Sequence, residues 1–127
     1  MATNEILEND HSISLERAID MITRYRENRE KILTAEYQGK DILPLSETFN
    51  KEAFNFFFTS AEVRAIRIHY GMSENFETHA IIVGVNDKNQ DILPADGLVT
   101  DLTAPVILED AVRCPPMCPT DPPLNTL

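Results

Sequence analysis

Between Ile66 and Val85 the chain reads IRIHYGMSENFETHAIIVGV, and the period of its apolar residues indicates two strands. In the first, Ile66, Ile68 and Tyr70 alternate with polar residues, which is the pattern of a strand with one buried face. The run from His79 to Val85 is apolar on both faces, which is typical of a central strand. Because the connection between them is short, we expect an antiparallel hairpin.

Helical spacing of apolar residues precedes this hairpin. Ser14 is a residue type that commonly caps a helix N-terminus, and apolar residues recur after it at helical spacing as far as Leu33. We therefore predict a long helix that begins at Ser14 and whose last turns project from the body. Residues 1–12 are polar and show no period, so we expect this segment to be frayed.

A second, short helix is predicted to begin near Asn50. Phe49 stands before that cap and Phe54 follows within the helix, which is the spacing of a hydrophobic staple. The helix ends in the run Phe56–Phe58, which is too apolar to be exposed on all sides. We expect these rings to be buried in the core; in the alternative, one of them, assigned to Phe57, contacts a partner chain.

Further short strands are expected on either side of the hairpin. Val106–Leu108 predicts a third strand, and Leu98–Val99 a fourth. The tetrapeptide Asp41–Pro44 recurs as Asp91–Pro94, which we interpret as two short extended segments ended by proline. Together these patterns predict an α+β domain in which a long and a short helix pack on an antiparallel sheet of three or four strands.

The domain is predicted to span residues 1–113 and to end in an irregular tail, residues 114–127. This tail holds both cysteines and five of the eight prolines of the chain. Proline fixes φ and lacks a backbone donor, so the tail should form neither a helix nor an extended sheet strand. It is either a preordered recognition element or a segment without a role in binding. In the first case a partner protein would contact Cys114, Pro115, Pro116, Met117, Cys118 and Pro119.

Charge and length exclude several classes of function. The chain has 127 residues and a formal net charge of −10, which disfavours binding to nucleic acid and to anionic membrane surfaces. The N-terminus shows no pattern of a secretory signal, and no apolar run is long enough for a membrane span. We therefore expect a cytoplasmic protein, in which the two cysteines would be free thiols.

A zinc site is one alternative function for the cysteines. Cys114 and Cys118 together with His69 and His79 have the composition of a structural Cys₂His₂ site. The two histidines would face each other if the hairpin loop were centred on Glu74, whereas a shift of one residue would place them on opposite faces. A disulfide between the cysteines would instead require a turn at the prolines between them, for example through a cis bond.

Signals for catalysis are few. The sequence contains neither a phosphate-binding glycine loop nor the G-x-S-x-G and H-E-x-x-H motifs. His69, Tyr70, Glu74 and His79 could meet at the end of the hairpin as an acid–base set, and this is the third hypothesis for the function.

Six short segments of the chain carry a resemblance to a known group of proteins: residues 42–44, 46–49, 66–68, 70–72, 79–85 and 113–116. They resemble a family of small uncharacterised proteins of Bacteroidota-type bacteria with an Arg-Cys-Pro-Pro-x-Cys-Pro tail. The resemblance covers most of the chain. It implies no activity and therefore assigns no functional residue.

Taken together, the sequence favours a non-enzymatic interaction protein that presents the Pro/Cys tail and an aromatic surface to a partner protein or to a second copy of itself. The second hypothesis is a metal- or redox-responsive protein that uses the two cysteines. A small enzyme is the third.

Overall fold

A computed structural model of the chain describes residues 3–94 and 104–126, with side chains from Ile6 onward. The predicted α+β class is confirmed, since helices combine with antiparallel sheets. The α-helices are α1 (Thr3–Glu8), α2 (Leu15–Asn28) and α3 (Asn55–Thr59). The strands are β1 (Ser46–Thr48), β2 (Ala65–Met72), β3 (Thr78–Val85), β4 (Asp91–Ile92), β5 (Ile107–Leu108) and β6 (Val112–Cys114).

The described chain groups into two compact units. Of the described residues, the first unit comprises 3–10, 49–71, 79–94 and 104–111. The second comprises 11–48, 72–78 and 112–126.

The first unit is built on a sheet with β3 at its centre. The strand order is β2-β3-β4, and β5 also pairs with β3. Strand β4 pairs antiparallel through Gly84 with Ile92, and β5 through Ile82 with Leu108. The prediction that this apolar strand is central is confirmed, because its last four residues are all buried. The second tetrapeptide of the repeat supplies β4, whereas the first forms no strand.

Helix α3 supplies the aromatic part of the core in this unit. Asn50 caps the one-turn 3₁₀ helix that precedes α3, its side chain accepting a hydrogen bond from the Glu52 N–H at 2.9 Å. The rings of Phe49 and Phe54 lie 5.7 Å apart, as the staple spacing predicts. The helix then buries two rings of its aromatic run against the sheet, in a cluster formed by Phe56, Phe57, Ile82, Ile92 and Val106.

The second unit contains α2 and a two-stranded sheet. In that sheet β1 and β6 pair antiparallel, with Ser46 opposite Cys114. Arg113 on β6 is largely buried; its guanidinium donates to the Thr78 carbonyl at 2.5 Å and lies 3.8 Å from the Glu47 carboxylate. The sheet is absent from the sequence-based prediction, because its strands are three residues long and far apart in the chain.

Helix α2 begins where the sequence predicts but ends earlier. The Ser14 hydroxyl accepts a hydrogen bond from the Arg17 N–H at 3.1 Å, which confirms the cap. The helix ends at Asn28 and not near Leu33, and turns follow it. Just past that end, Arg29 turns inward and donates to the Leu43 carbonyl at 2.6 Å. The side chain of Arg29 is 14% exposed, so this contact binds the helix end to the following segment.

Two further sequence-based expectations concern the termini and one strand. Residues 1–12 are not uniformly irregular, since α1 forms within them. The predicted strand at Leu98–Val99 lies outside the described residues. The division into a domain of residues 1–113 and a tail of residues 114–127 stays a prediction. Residues 112–126 are grouped with α2 in the second unit.

Candidate interaction surface

The most unusual surface of the protein is one face of β2. Four apolar side chains that alternate along this strand are exposed to solvent: Ile66 (44%), Ile68 (51%), Tyr70 (80%) and Met72 (62%). We call these four residues the apolar stripe. The sequence predicts the alternation correctly but places the wrong face inward, because the half-buried residues are Ala65, Arg67 and Gly71. The larger side chains of β2 therefore contribute little to the core.

Strand β2 also lies at the edge of its sheet. Within residues 3–94 and 104–126 it has one strand neighbour, β3. Edge strands usually carry lysine, proline or a bulge, which prevent pairing with other chains. The sequence of β2, AIRIHYGM, contains neither lysine nor proline, and its one formally charged side chain, Arg67, is bound to Asp91 and Asn89 on the opposite face. An edge strand that exposes an apolar face without such residues is a typical contact surface for another chain.

Polar side chains hold the other face of β2 in place. The guanidinium of Arg67 donates hydrogen bonds to the side chains of Asp91 and Asn89. Nε2 of His69 donates to the second carboxylate oxygen of Asp91 at 2.9 Å. The Asp91 carboxylate thus binds two residues of β2 at once.

These contacts shift the titration of Asp91. The hydrogen bond from His69, followed by the hydrogen bond and charge of Arg67, holds the pKa of Asp91 below its ordinary value of 3.8, although desolvation opposes the shift. A lowered folded-state pKa stabilises the fold at pH above the unfolded-state value. That contribution is lost as the pH falls below 3.8 and through the folded-state pKa.

We therefore expect Asp91→Asn to have a lower free energy of unfolding than wild type near neutral pH. This difference between the two proteins should be smaller at pH ~3. Urea denaturation of both proteins at the two pH values measures this. Asp87→Asn is the control, since Asp87 is an exposed residue of the preceding turn, and it should behave as wild type. If Asp91→Asn lowered the free energy of unfolding by the same amount at both pH values, the stabilising role assigned to the ionised Asp91 carboxylate would be contradicted.

The Pro/Cys tail contains a closed loop. Cys114 and Cys118 form a disulfide, with their Cα atoms 4.7 Å apart, and both X–Pro bonds between them are cis. We call residues 114–118 the disulfide loop. The expectation of free thiols is wrong for this structure. The turn that the sequence demands for a disulfide is present, and the Met117 N–H donates to the Arg113 carbonyl across it at 3.0 Å.

The disulfide loop is anchored at one end and exposed at the other. Cys114 is 2% exposed, belongs to β6 and accepts a hydrogen bond on its carbonyl from the Leu45 N–H at 2.8 Å. The prediction that the tail stays out of a sheet therefore fails at its first residue. Of the predicted contact residues, Pro115 is partly buried, and the exposed ones are Pro116, Met117, Cys118 and Pro119.

The predicted zinc ligands do not come together. The disulfide removes both thiolates, and the turn hydrogen bond from the Ser73 N–H to the Glu77 carbonyl centres the hairpin loop one residue beyond Glu74. His69 contacts Asp91, whereas Nδ1 of His79 lies 3.0 Å from Glu109. Among the described residues, no group of three or more His, Cys, Asp or Glu side chains is arranged to hold a metal ion.

The acid–base set predicted at the hairpin end is not assembled either, because its two histidines have these separate partners. The hairpin turn forms an open cleft in the second unit, in which the rings of Tyr37 and Phe76 meet edge to face at 5.6 Å. Of the four predicted catalytic residues, Glu74 alone lines this cleft, with Glu36, Tyr37, Lys40, Asn75, Phe76 and Glu77 as the other lining residues.

The exposed ring of the aromatic run is that of Phe58 and not that of Phe57, the residue to which the partner contact is assigned from the sequence. Phe57 is 5% exposed and belongs to the core, whereas Phe58 is 77% exposed. The sequence FFF does not show which ring points outward, because a short helix leaves its orientation open. The stripe has a sequence signal, the alternation in β2, but this alternation predicts a buried face and not an exposed one.

Comparison with known proteins adds no functional assignment. No protein-family model, curated protein or solved structure matches the chain. The resemblance to a bacterial family therefore stays an expectation. Among the helices of the described residues, none combines the length and apolar character that crossing a membrane requires.

Proposed function

We propose that the chain is a non-enzymatic interaction protein whose main contact surface is the apolar stripe. The observation that supports this most is the exposure of four alternating apolar side chains on an edge strand. Such a strand adds another strand through its backbone, while its side chains give specificity. The disulfide loop is a second, smaller contact element, since the disulfide preorders Pro116 and Met117 at the surface and lowers the entropy lost on binding.

Substitution in the middle of the stripe tests this proposal. We expect Ile68→Lys to reduce the amount of protein captured by the immobilised chain at least about tenfold, because a charge would be desolvated at the contact. Ile32→Lys is the matched control, since Ile32 is 71% exposed and lies outside the stripe. Capture is measured by quantitative mass spectrometry from a lysate to which labelled chain is added, so that self-association is scored as well. If wild type and Ile68→Lys captured equal amounts of protein, the proposal would be contradicted.

A second candidate function is a thiol–disulfide switch, favoured by the asymmetry of the disulfide. Cys118 lies at an exposed position and Cys114 is buried. An external thiolate could attack the sulfur of Cys118, form a mixed disulfide with it and release Cys114 as the thiolate. A protein with this disulfide fits an oxidising compartment better than a reducing cytoplasm. The cytoplasmic location stays a prediction. Titration against a glutathione redox buffer, read by thiol alkylation, tests the switch; a disulfide that no such buffer reduces would exclude it.

A further inference from the structure

The residues around β2 differ from the rest of this acidic chain. Residues 63–73 form the longest segment without an acidic residue, and they include Arg64 and Arg67. The formal net charge of the whole chain is −10. The apolar stripe is therefore placed in the segment where two copies of the protein would repel each other least. This charge distribution is the first indication of the partner's identity.

The second indication is the order of residues along the stripe. Within β2, every second residue from Ile66 to Met72 is apolar, in the order Ile, Ile, Tyr, Met. All four side chains are exposed. A strand with this order is complementary to a copy of itself that runs in the opposite direction, because each apolar side chain then meets an apolar side chain.

We propose that the partner on the stripe is a second copy of the chain, paired antiparallel through β2 about a two-fold axis at His69. In this register Ile66 lies opposite Met72, and Ile68 lies opposite Tyr70. Residues directly opposite each other in a sheet share a face, so the two stripes form one continuous apolar surface. The inference deepens the proposed function by naming its partner.

Neighbouring registers that keep the stripes on one face are less favourable. An axis at Ile68 places Met72 opposite residue 64, which precedes β2, and an axis at Tyr70 places Ile66 opposite residue 74, which lies in the hairpin turn. Each of these registers leaves one stripe residue of each copy without a stripe residue opposite it. The axis at His69 is the one of the three that pairs all four stripe residues with stripe residues.

The pairing also fits the other face of β2. In the proposed register Arg67 lies opposite Gly71 of the second copy, which has no side chain. The guanidinium of Arg67 can therefore keep its hydrogen bonds to Asp91 and Asn89 in the dimer. The symmetric arrangement is an isologous interface, which closes at two copies and leaves no open end for further growth.

Sedimentation over a range of protein concentrations tests for the dimer. We expect wild type to dimerise and Ile68→Lys to raise the dissociation constant about tenfold, because each dimer would place two lysines opposite Tyr70 and would lose the apolar cross-strand contacts of Ile68. Ile32→Lys should dimerise as wild type does. A wild type that stays monomeric would overturn the inference. If such a monomer still captured another protein through the stripe, the proposed function would stand with a different partner; if it captured none, both would fail.

Engineered cysteines test the register. Ile66→Cys and Met72→Cys should form an interchain disulfide when the two variants are mixed, because opposite Cα atoms in a strand pair lie about 4.5–5.5 Å apart. Each variant alone should not crosslink, since its two cysteines would be six residues out of register, about 20 Å apart. Non-reducing electrophoresis after mild oxidation gives the result. Crosslinking of either variant with itself, or no crosslink in the mixture, would overturn the proposed pairing.

Discussion

Phe57→Ala is expected to lower the free energy of unfolding by about 3–5 kcal/mol, the usual cost of removing a buried phenylalanine ring. Phe57 is 5% exposed and its ring lies 5.6 Å from that of Phe54 and 5.9 Å from that of Phe56. It also packs close to Gly84 of the central strand. Removal of the ring would therefore leave a cavity between α3 and the sheet.

The neighbouring Phe58 provides a matched control, because it is in the same helix and 77% exposed. Phe58→Ala should change the free energy of unfolding by no more than about 0.5 kcal/mol. Urea denaturation of the three proteins measures both effects. Equal decreases in the free energy of unfolding for the two variants would contradict the assignment of Phe57 to the core. Phe57 would then again be a candidate contact residue.

Cys118→Ser is expected to lower the free energy of unfolding by about 2 kcal/mol, which is the loop-closure contribution of a disulfide across five residues. The substitution is placed at Cys118 because Cys114 is buried, and a serine there would add the cost of burying a hydroxyl. Thermal and urea denaturation without reductant, compared with wild type, measure the effect.

Reductant supplies the control for this prediction. It should destabilise wild type to the level of Cys118→Ser and leave the variant unchanged. A wild type that is insensitive to reductant, with two thiols that can be alkylated in the folded protein, would contradict the disulfide. Such a result would support the sequence-based prediction of two free thiols in a cytoplasmic protein.

Local features of this fold are predictable from the sequence because their causes are local. The caps at Ser14 and Asn50 and the contact between Phe49 and Phe54 follow from residue type and spacing over a few positions. The structure confirms all three. The central position of β3 is likewise visible, since a strand that is covered on both faces must be apolar on both.

Features that depend on distant parts of the chain are not predictable in this way. Periodicity shows which residues of β2 share a face but does not show on which side the protein body lies. The polar face of β2 contacts Asp91 through Arg67 and His69, and Asp91 lies more than twenty residues further along the chain. The pairing of β1 with β6 likewise joins segments from opposite halves of the sequence.

The disulfide loop lies between these two cases. At the spacing of Cys114 and Cys118, a disulfide can form only if the chain turns at the intervening prolines. The sequence does not decide whether that condition is met. The same holds for the apolar stripe. The sequence predicts that its residues alternate along a strand, but it does not predict that they are exposed.

The most direct test of the central claim is hydrogen–deuterium exchange in β2 at increasing protein concentration. If β2 pairs with a second copy, the exchange of residues 65–72 should slow as the dimer forms, because the outer backbone groups of the edge strand acquire partners. Exchange in β3, which already has strands on both sides, should not change. Exchange in β2 that is independent of concentration, in a protein that sediments as a monomer throughout, would contradict the account.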